Sequence, residues 1–306
     1  MKAGISFTAI SYNAVRSDGK QIEVRDNATL RSYKIVVNQD SIKISDKSRS
    51  NGSDSYDKTE TFKSIEINSF KDASLVLTSD TKSDKPPLII KSVDSGGNIE
   101  LQENAKAQIT CFKEGATLKL EGNSQAKIDT AKKGSKIIQS ENSNTEIKNL
   151  YGELNLEGDS SSSMTKSQEG SFIKLINKSK IKINSMDGAI ALYDDSSAKI
   201  EKSSPEKSKI NLFNQAKLQI TELGHLLELS YKSFAEIGTA VYSSCITQLG
   251  SHTKISNLEG TLDIEDGISE IESLGKNGTV NIYTRADVKI KNPYEKSMVN
   301  TINANL

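Results

Sequence analysis

Short aliphatic pairs with one residue between them recur along this chain, each bounded by polar residues. They are Ile99 and Leu101, Leu118 and Leu120, Leu154 and Leu156, Ile173 and Leu175, Ile190 and Leu192, Ile210 and Leu212, Leu227 and Leu229, Leu262 and Ile264, and Val280 and Ile282, with single aliphatics at Ile137 and Ile246. Alternation of this kind predicts half-buried β-strands. A second series reads small residue, any residue, aliphatic. It comprises Ala107/Ile109, Ala126/Ile128, Thr145/Ile147, Ser179/Ile181, Ala198/Ile200, Ala216/Leu218, Ala235/Ile237, Thr253/Ile255 and Ala286/Val288. Few windows place apolar residues at helical spacing. The nearest, 223–231, falls in the strand register.

The two series share a period. Glycines precede the pairs at Gly97, Gly115, Gly134, Gly152, Gly170 and Gly188, at intervals of 18, 19, 18, 18 and 18. Gly224 and Gly260 follow at 36 each, or two periods, and Gly278 after 18 more. One such unit cannot bury its own apolar face, but stacked units can. The expected fold is all-β: a single-stranded parallel β-helix (β-solenoid) of about ten regular turns over residues 96–292. The chain does not fix the hand. Right-handed coiling, the commoner outcome where no hexapeptide motif is present, is the expectation. With coils ~4.8 Å apart, ten turns would extend on the order of 50 Å.

Residues 1–95 are less regular. Strand-like pairs occur at Ile22/Val24, Ile35/Val37, Ile42/Ile44, Ile65/Ile67 and Leu75/Leu77, and the polar stretches 46–61 and 79–87 read as exposed loops. This region is expected to form an N-terminal cap with the first irregular turns, a small separate β-domain being the alternative. Pro293, between Asn292 and Tyr294, is expected to stop the stacking and leave 293–306 as a C-terminal cap or tail.

The glycine-led aliphatic pairs and the small-x-aliphatic series over residues 97–290 resemble those of parallel β-helix proteins. An 18-residue coil is similar to that of bactofilin-type polymers, a resemblance that implies a cytoskeletal or scaffold filament. The hexads of left-handed hexapeptide acyltransferases and the glycine-rich calcium-binding nonapeptide are absent from the sequence. Pectate-lyase-like and phage-tailspike β-helices supply the alternative functions.

Composition narrows the function classes. Forty Lys+Arg balance forty Asp+Glu, which argues against a nucleic-acid binder working through bulk positive potential. The only arginines are Arg16, Arg25, Arg31, Arg49 and Arg285, so bidentate phosphate forks are scarce. No run approaches the ~18 apolar residues of a membrane span. The N-terminus carries no apolar run typical of a secretory signal. The default expectation is cytoplasmic, with a virion component or non-classical export as alternatives.

Candidate chemistry is sparse. His225 and His252 are 27 residues apart, one and a half periods, so no metal site or His dyad is expected. Cys111 and Cys245, 134 residues apart, are expected to remain free thiols. Gly96 and Gly97 open a strand rather than a helix, so they make no anion-binding helix terminus. No cofactor is expected. Glu121 and Glu157, with Glu103 and Gln139 read in the same column, give the one carboxylate pair at a glycosidase-like spacing. Lys180, Lys199 and Lys217, in the middle of the small-x-aliphatic series, are the candidate binding stripe for an anionic polymer. The leading expectation is a non-enzymatic structural or scaffold solenoid whose partner is itself, as an oligomer, filament or fibre-like assembly. The alternatives are a glycan- or surface-binding module of the adhesin or phage-fibre type, and a polysaccharide lyase or glycoside hydrolase.

Overall fold

The computed structural model of the chain describes residues 88–302 together with the backbone of six earlier strands, Val15–Ser17, Gln21–Val24, Lys34–Asn38, Ser41–Asp46, Glu66–Lys71 and Ser74–Ser79. The loops expected at 46–61 and 79–87 lie, but for their first residues, outside the described residues. The fold is an all-β parallel solenoid of about 11 turns, with no helix among the described residues. It falls into two compact units, residues 1–148 with 152–154, and residues 149–151 with 155–306.

Each coil contributes a strand to a first ladder and a strand to a second. In the first unit the first ladder runs Leu75, Ile99, Leu118, Ile137, each opposite the next in parallel register. The earlier strands join it: Ile22 pairs with Ile42, and Ile42 with Leu75. The second ladder aligns Ile67, Ile90, Ile109 and Ile128. The second unit repeats the scheme, with Ile173, Ile190, Ile210, Leu227, Ile246, Leu262, Val280 and Val299 in one column. Ile183, Ile200, Ile220, Ile237, Ile255, Ile271 and Ile290 form the other.

The burial follows the pleat. Strands such as Phe172–Leu175 and Lys209–Leu212 alternate outward and buried positions, so every second side chain enters the core. Each fully buried Leu or Ile contributes roughly 1.5–3 kcal/mol. The core is therefore two stacks of branched aliphatics and needs few aromatics.

The corner leading from the first ladder to the second holds left-handed residues coil after coil: Glu103, Gly122, Glu141, Gly158, Asn177, Asp194 and Asn214. A buried small residue follows two positions later, Ala105, Ser124, Ser143, Ser160, Ser179, Ser196 and Ala216 in turn. The return corner comes in two widths. Wide corners end in a serine whose hydroxyl donates back to the corner's first carbonyl: Ser135 to Lys132, Ser171 to Gln168, Ser208 to Ser204 and Ser244 to Val241, at 2.6–2.7 Å. Narrow corners alternate with them and carry Gly152, Gly188, Gly224 and Gly260. The glycine series thus mixes two roles, and from residue 135 onward the repeat is a pair of coils, one wide-cornered and one narrow. Lys207 Nζ reaches Glu169 Oε2 at 2.7 Å, joining successive wide corners across the narrow one at Gly188.

Two details differ from the sequence reading. Ile181 stands opposite Ala198, and Ile183 opposite Ile200, so the Ser179 triplet sits two residues out of step with its neighbours. Ser179 belongs to the corner. The Ala216/Leu218 and Ala286/Val288 triplets slip likewise, with Leu218 opposite Ala198 and Val288 opposite Ser269. Stacking also continues past Pro293. The strand Thr279–Pro293 ends on the proline, where the chain turns, and Met298–Thr301 pairs with Thr279–Ile282 beyond it. A proline at a strand end removes no essential ladder bond.

Candidate functional site

Gln139 does not share the column of Glu121. Leu120 stands opposite Gln139, which is wholly buried and points inward. The place after it, equivalent to Glu121, belongs to Ser140, whose N–H donates to the Leu120 carbonyl as that of Glu121 does to Leu101. Glu121 is bound by Lys119, whose Nζ also lies 3.7 Å from Glu100 Oε1. The hydrogen bond to Glu121 raises the Lys119 pKa. Glu157 is an exposed corner residue of the other unit, next to left-handed Gly158.

Both cysteines are free. Burial pushes the Cys245 thiol up, and nearby Asp263 adds to the shift, so this sulfur is a poor nucleophile at neutral pH. His225 lies at a narrow corner with Nδ1 3.2 Å from the Ser208 carbonyl. His252 opens a second-ladder segment and meets Phe234 edge to face at 5.3 Å. Among the described residues no group of three or more His, Cys, Asp or Glu could hold a metal ion, and no helix is long and apolar enough to cross a membrane.

Inside the coils, two glutamines interrupt the aliphatic columns. Gln139 Oε1 accepts from Thr145 Oγ1 at 2.8 Å. Gln248 Oε1 accepts from Thr253 Oγ1 at 3.0 Å and from Ser269 Oγ at 2.8 Å, while its Nε2 donates to the carbonyls of Ser251 and Ile268. These are satisfied buried networks with no opening to solvent, so they fix register rather than bind a ligand.

On the surface of the second unit, a groove of about 620 Å³ lies along the corner between the ladders, lined among others by Asp194, Asn214, Tyr231, Leu249 and Asp266. Its origin is a change of corner length. Tyr231 and Lys232 are consecutive left-handed residues, an uncommon arrangement for bulky side chains. The next coil spends one residue fewer there, with bulges around Leu249. Asn214 Nδ2 donates to Asp194 Oδ1 at 2.8 Å beside the groove. One residue before that pair, Tyr193 and Phe213 stack at 4.9 Å, and Lys174 Nζ stands 5.4 Å over the Tyr193 ring.

The three candidate lysines all lie on the outer face of the second ladder. Lys180 stands opposite Ser197, and Ser197 opposite Lys217, so these two share a column with a serine between them. Lys199 belongs to the adjacent column, opposite Lys182 on one side and Gln219 on the other. The sequence reading missed Lys182 because of the two-residue slip at Ser179. Once the inward Ile181 and Ile183 are registered against Ala198 and Ile200, Lys182 falls beside Lys199. No protein family, curated protein or solved structure matches this chain.

Proposed function

We propose that this chain is a non-enzymatic structural solenoid, a scaffold subunit that joins a second copy of itself through the last coil. The supporting observation is Val299. It continues the column of Leu262 and Val280, which are fully buried, yet it is 49% exposed. Met298 beside it is exposed as well. The strand Met298–Thr301 pairs with Thr279–Ile282 on one side, and no strand lies on its other side among the described residues.

An edge with unpaired N–H and C=O groups and an uncovered apolar column is a template for another strand. The strand that fits it carries alternating aliphatics at the same pleat, which another copy of this chain supplies. In the first unit, Val15–Ser17 lies antiparallel on Gln21–Val24 and occupies that edge of the first ladder. Joining two last coils to each other about a two-fold axis therefore suits the molecule better than endless head-to-tail growth.

Sedimentation velocity and negative-stain electron microscopy across concentrations test the reading. Wild type is expected to form a reversible dimer. Val299→Lys, which puts a charge into the exposed column, is expected to weaken dimerisation at least tenfold while leaving the melting temperature unchanged. A wild type that stays monomeric at every concentration, or a Val299→Lys protein that dimerises equally well, overturns the proposal. Long filaments would replace the two-fold pairing by head-to-tail growth.

A further inference from the structure

Several lysines on the outer face of the second ladder are answered by a carboxylate of a neighbouring coil. Lys127 meets Glu146 at 2.9 Å, Lys148 meets Asp129 at 2.6 Å, and Lys202 meets Glu222 at 2.7 Å. Lys166 meets Asp187 at 3.2 Å, and Lys254 meets Glu270 at 3.7 Å. Three successive coils gather lysines that have no such partner. Lys180, Lys182, Lys199 and Lys217 are all exposed, and none forms an ion pair among the described residues. Lys182 and Lys199 stand directly opposite each other across adjacent strands. Like charges in that position destabilise a sheet. The fold thus tolerates a self-repelling cluster at this place.

We infer that this cluster is a binding surface for a linear acidic polysaccharide, one carrying a carboxylate or sulfate on alternate sugars. The spacing supports this occupant. Lys180 and Lys217 are two coils apart, about 10 Å at the usual strand separation, with Ser197 between them. A polymer lying along the stacking direction would place an acidic group at each lysine and a neutral sugar over the intervening serine. The flanking positions suit sugar hydroxyls: Ser161 stands opposite Lys180, Ser163 opposite Lys182 and Gln219 opposite Lys199.

Other polyanions fit less well. A single-stranded nucleic acid needs aromatic platforms for its bases. The aromatic opposite Lys217, Phe234, is engaged with the His252 ring. An anionic membrane is bound through apolar side chains interleaved with the basic ones, and the neighbours here are serines and a glutamine. Lysines, unlike arginines, offer compact charges without the planar fork that selects phosphate.

The inference goes beyond the structural role, and its test is independent of it. Binding to immobilised heparin and hyaluronan is measured at low and at physiological salt, with dextran, single-stranded DNA and polyglutamate as comparison polymers. The full chain is used as wild type, with Lys180, Lys182, Lys199 and Lys217 all changed to Gln, and as Lys202→Gln. The expected result is salt-sensitive binding to an acidic polysaccharide, weakened at least tenfold in the quadruple variant and less than twofold in Lys202→Gln. Val299→Lys should bind as wild type does, so failure of dimerisation and failure of binding are told apart. All the substituted lysines are exposed, and an unchanged circular dichroism melt verifies folding. Absence of binding, equal binding by the quadruple variant, or tighter binding to DNA or polyglutamate than to either acidic polysaccharide overturns the inference.

Discussion

At the scale of single residues, two glycines with the same neighbour pattern do different work. Gly170 sits in a wide corner at φ +80°, with nothing within 4 Å of where a Cβ would be. Gly188, in the next narrow corner, is outside the left-handed region, but a Cβ there would run into the Ser171 hydroxyl and lie 2.7 Å from the Ser171 carbonyl oxygen. The first position demands conformational freedom, the second demands space. Gly170→Ala is expected to cost about 1–2 kcal/mol, the usual penalty for an L-residue in the left-handed region. Gly188→Ala has to push backbone against backbone and is expected to cost more than about 3 kcal/mol, at or above the upper range for overpacking. Urea unfolding of the two variants checks the ranking, and a larger loss for Gly170→Ala would contradict it.

At the scale of the strand and coil, the buried glutamines show how one polar residue is carried inside an aliphatic stack. In both cases the Gln of the first ladder faces a Thr of the second, Gln139 with Thr145 and Gln248 with Thr253. In the coil before Gln248 the same two places hold Leu229 and Ala235. Gln248→Leu alone takes the shared acceptor from Thr253 and Ser269, whose hydroxyls keep only each other at 2.8 Å, and the donor from the Ser251 and Ile268 carbonyls, a loss of about 1–3 kcal/mol. Adding Thr253→Ala together with Ser269→Ala removes both hydroxyls, so the combined variant is expected to regain part of the loss. A mutant cycle by thermal denaturation, with the two hydroxyl changes as one arm, measures this coupling, and simple additivity would refute it.

The pattern of the chain made the first ladder legible, because a period of two identifies the inward positions at pairs such as Ile99 and Leu101. The glutamine plugs were not legible as core. A polar residue after Ile137 or Ile246 looks like the end of a strand, and only the neighbouring coils show that it points inward. The second ladder was legible in existence but not everywhere in register. Serine, lysine, isoleucine at 179–181 has the same form as alanine, lysine, isoleucine at 198–200, although one spans a corner and the other a strand. The same ambiguity hid Lys182 from the candidate site, and it placed Gln139 in the column of Glu121.

At the scale of the whole molecule, the formal charge of zero conceals a local imbalance. On several coils the charges answer one another across the strands, whereas Lys182 and Lys199 set like charges directly opposite each other. The exposed Val299 stands out against a column that is otherwise closed. The alternation of wide and narrow corners has its own consequence for how such a chain can lengthen or shorten. Removing the single coil between Gly152 and Ser171 would place two glycine corners back to back and deprive Gly188 of the serine on which it rests. Removing residues 152–187, which run from one narrow corner to the next, would preserve the phase. Gain or loss of length in steps of 36 residues should leave a foldable protein, whereas a step of half that size should not, and the solubility and melting of the two deletion variants would reveal the difference. The inheritable unit of this architecture is accordingly the doublet.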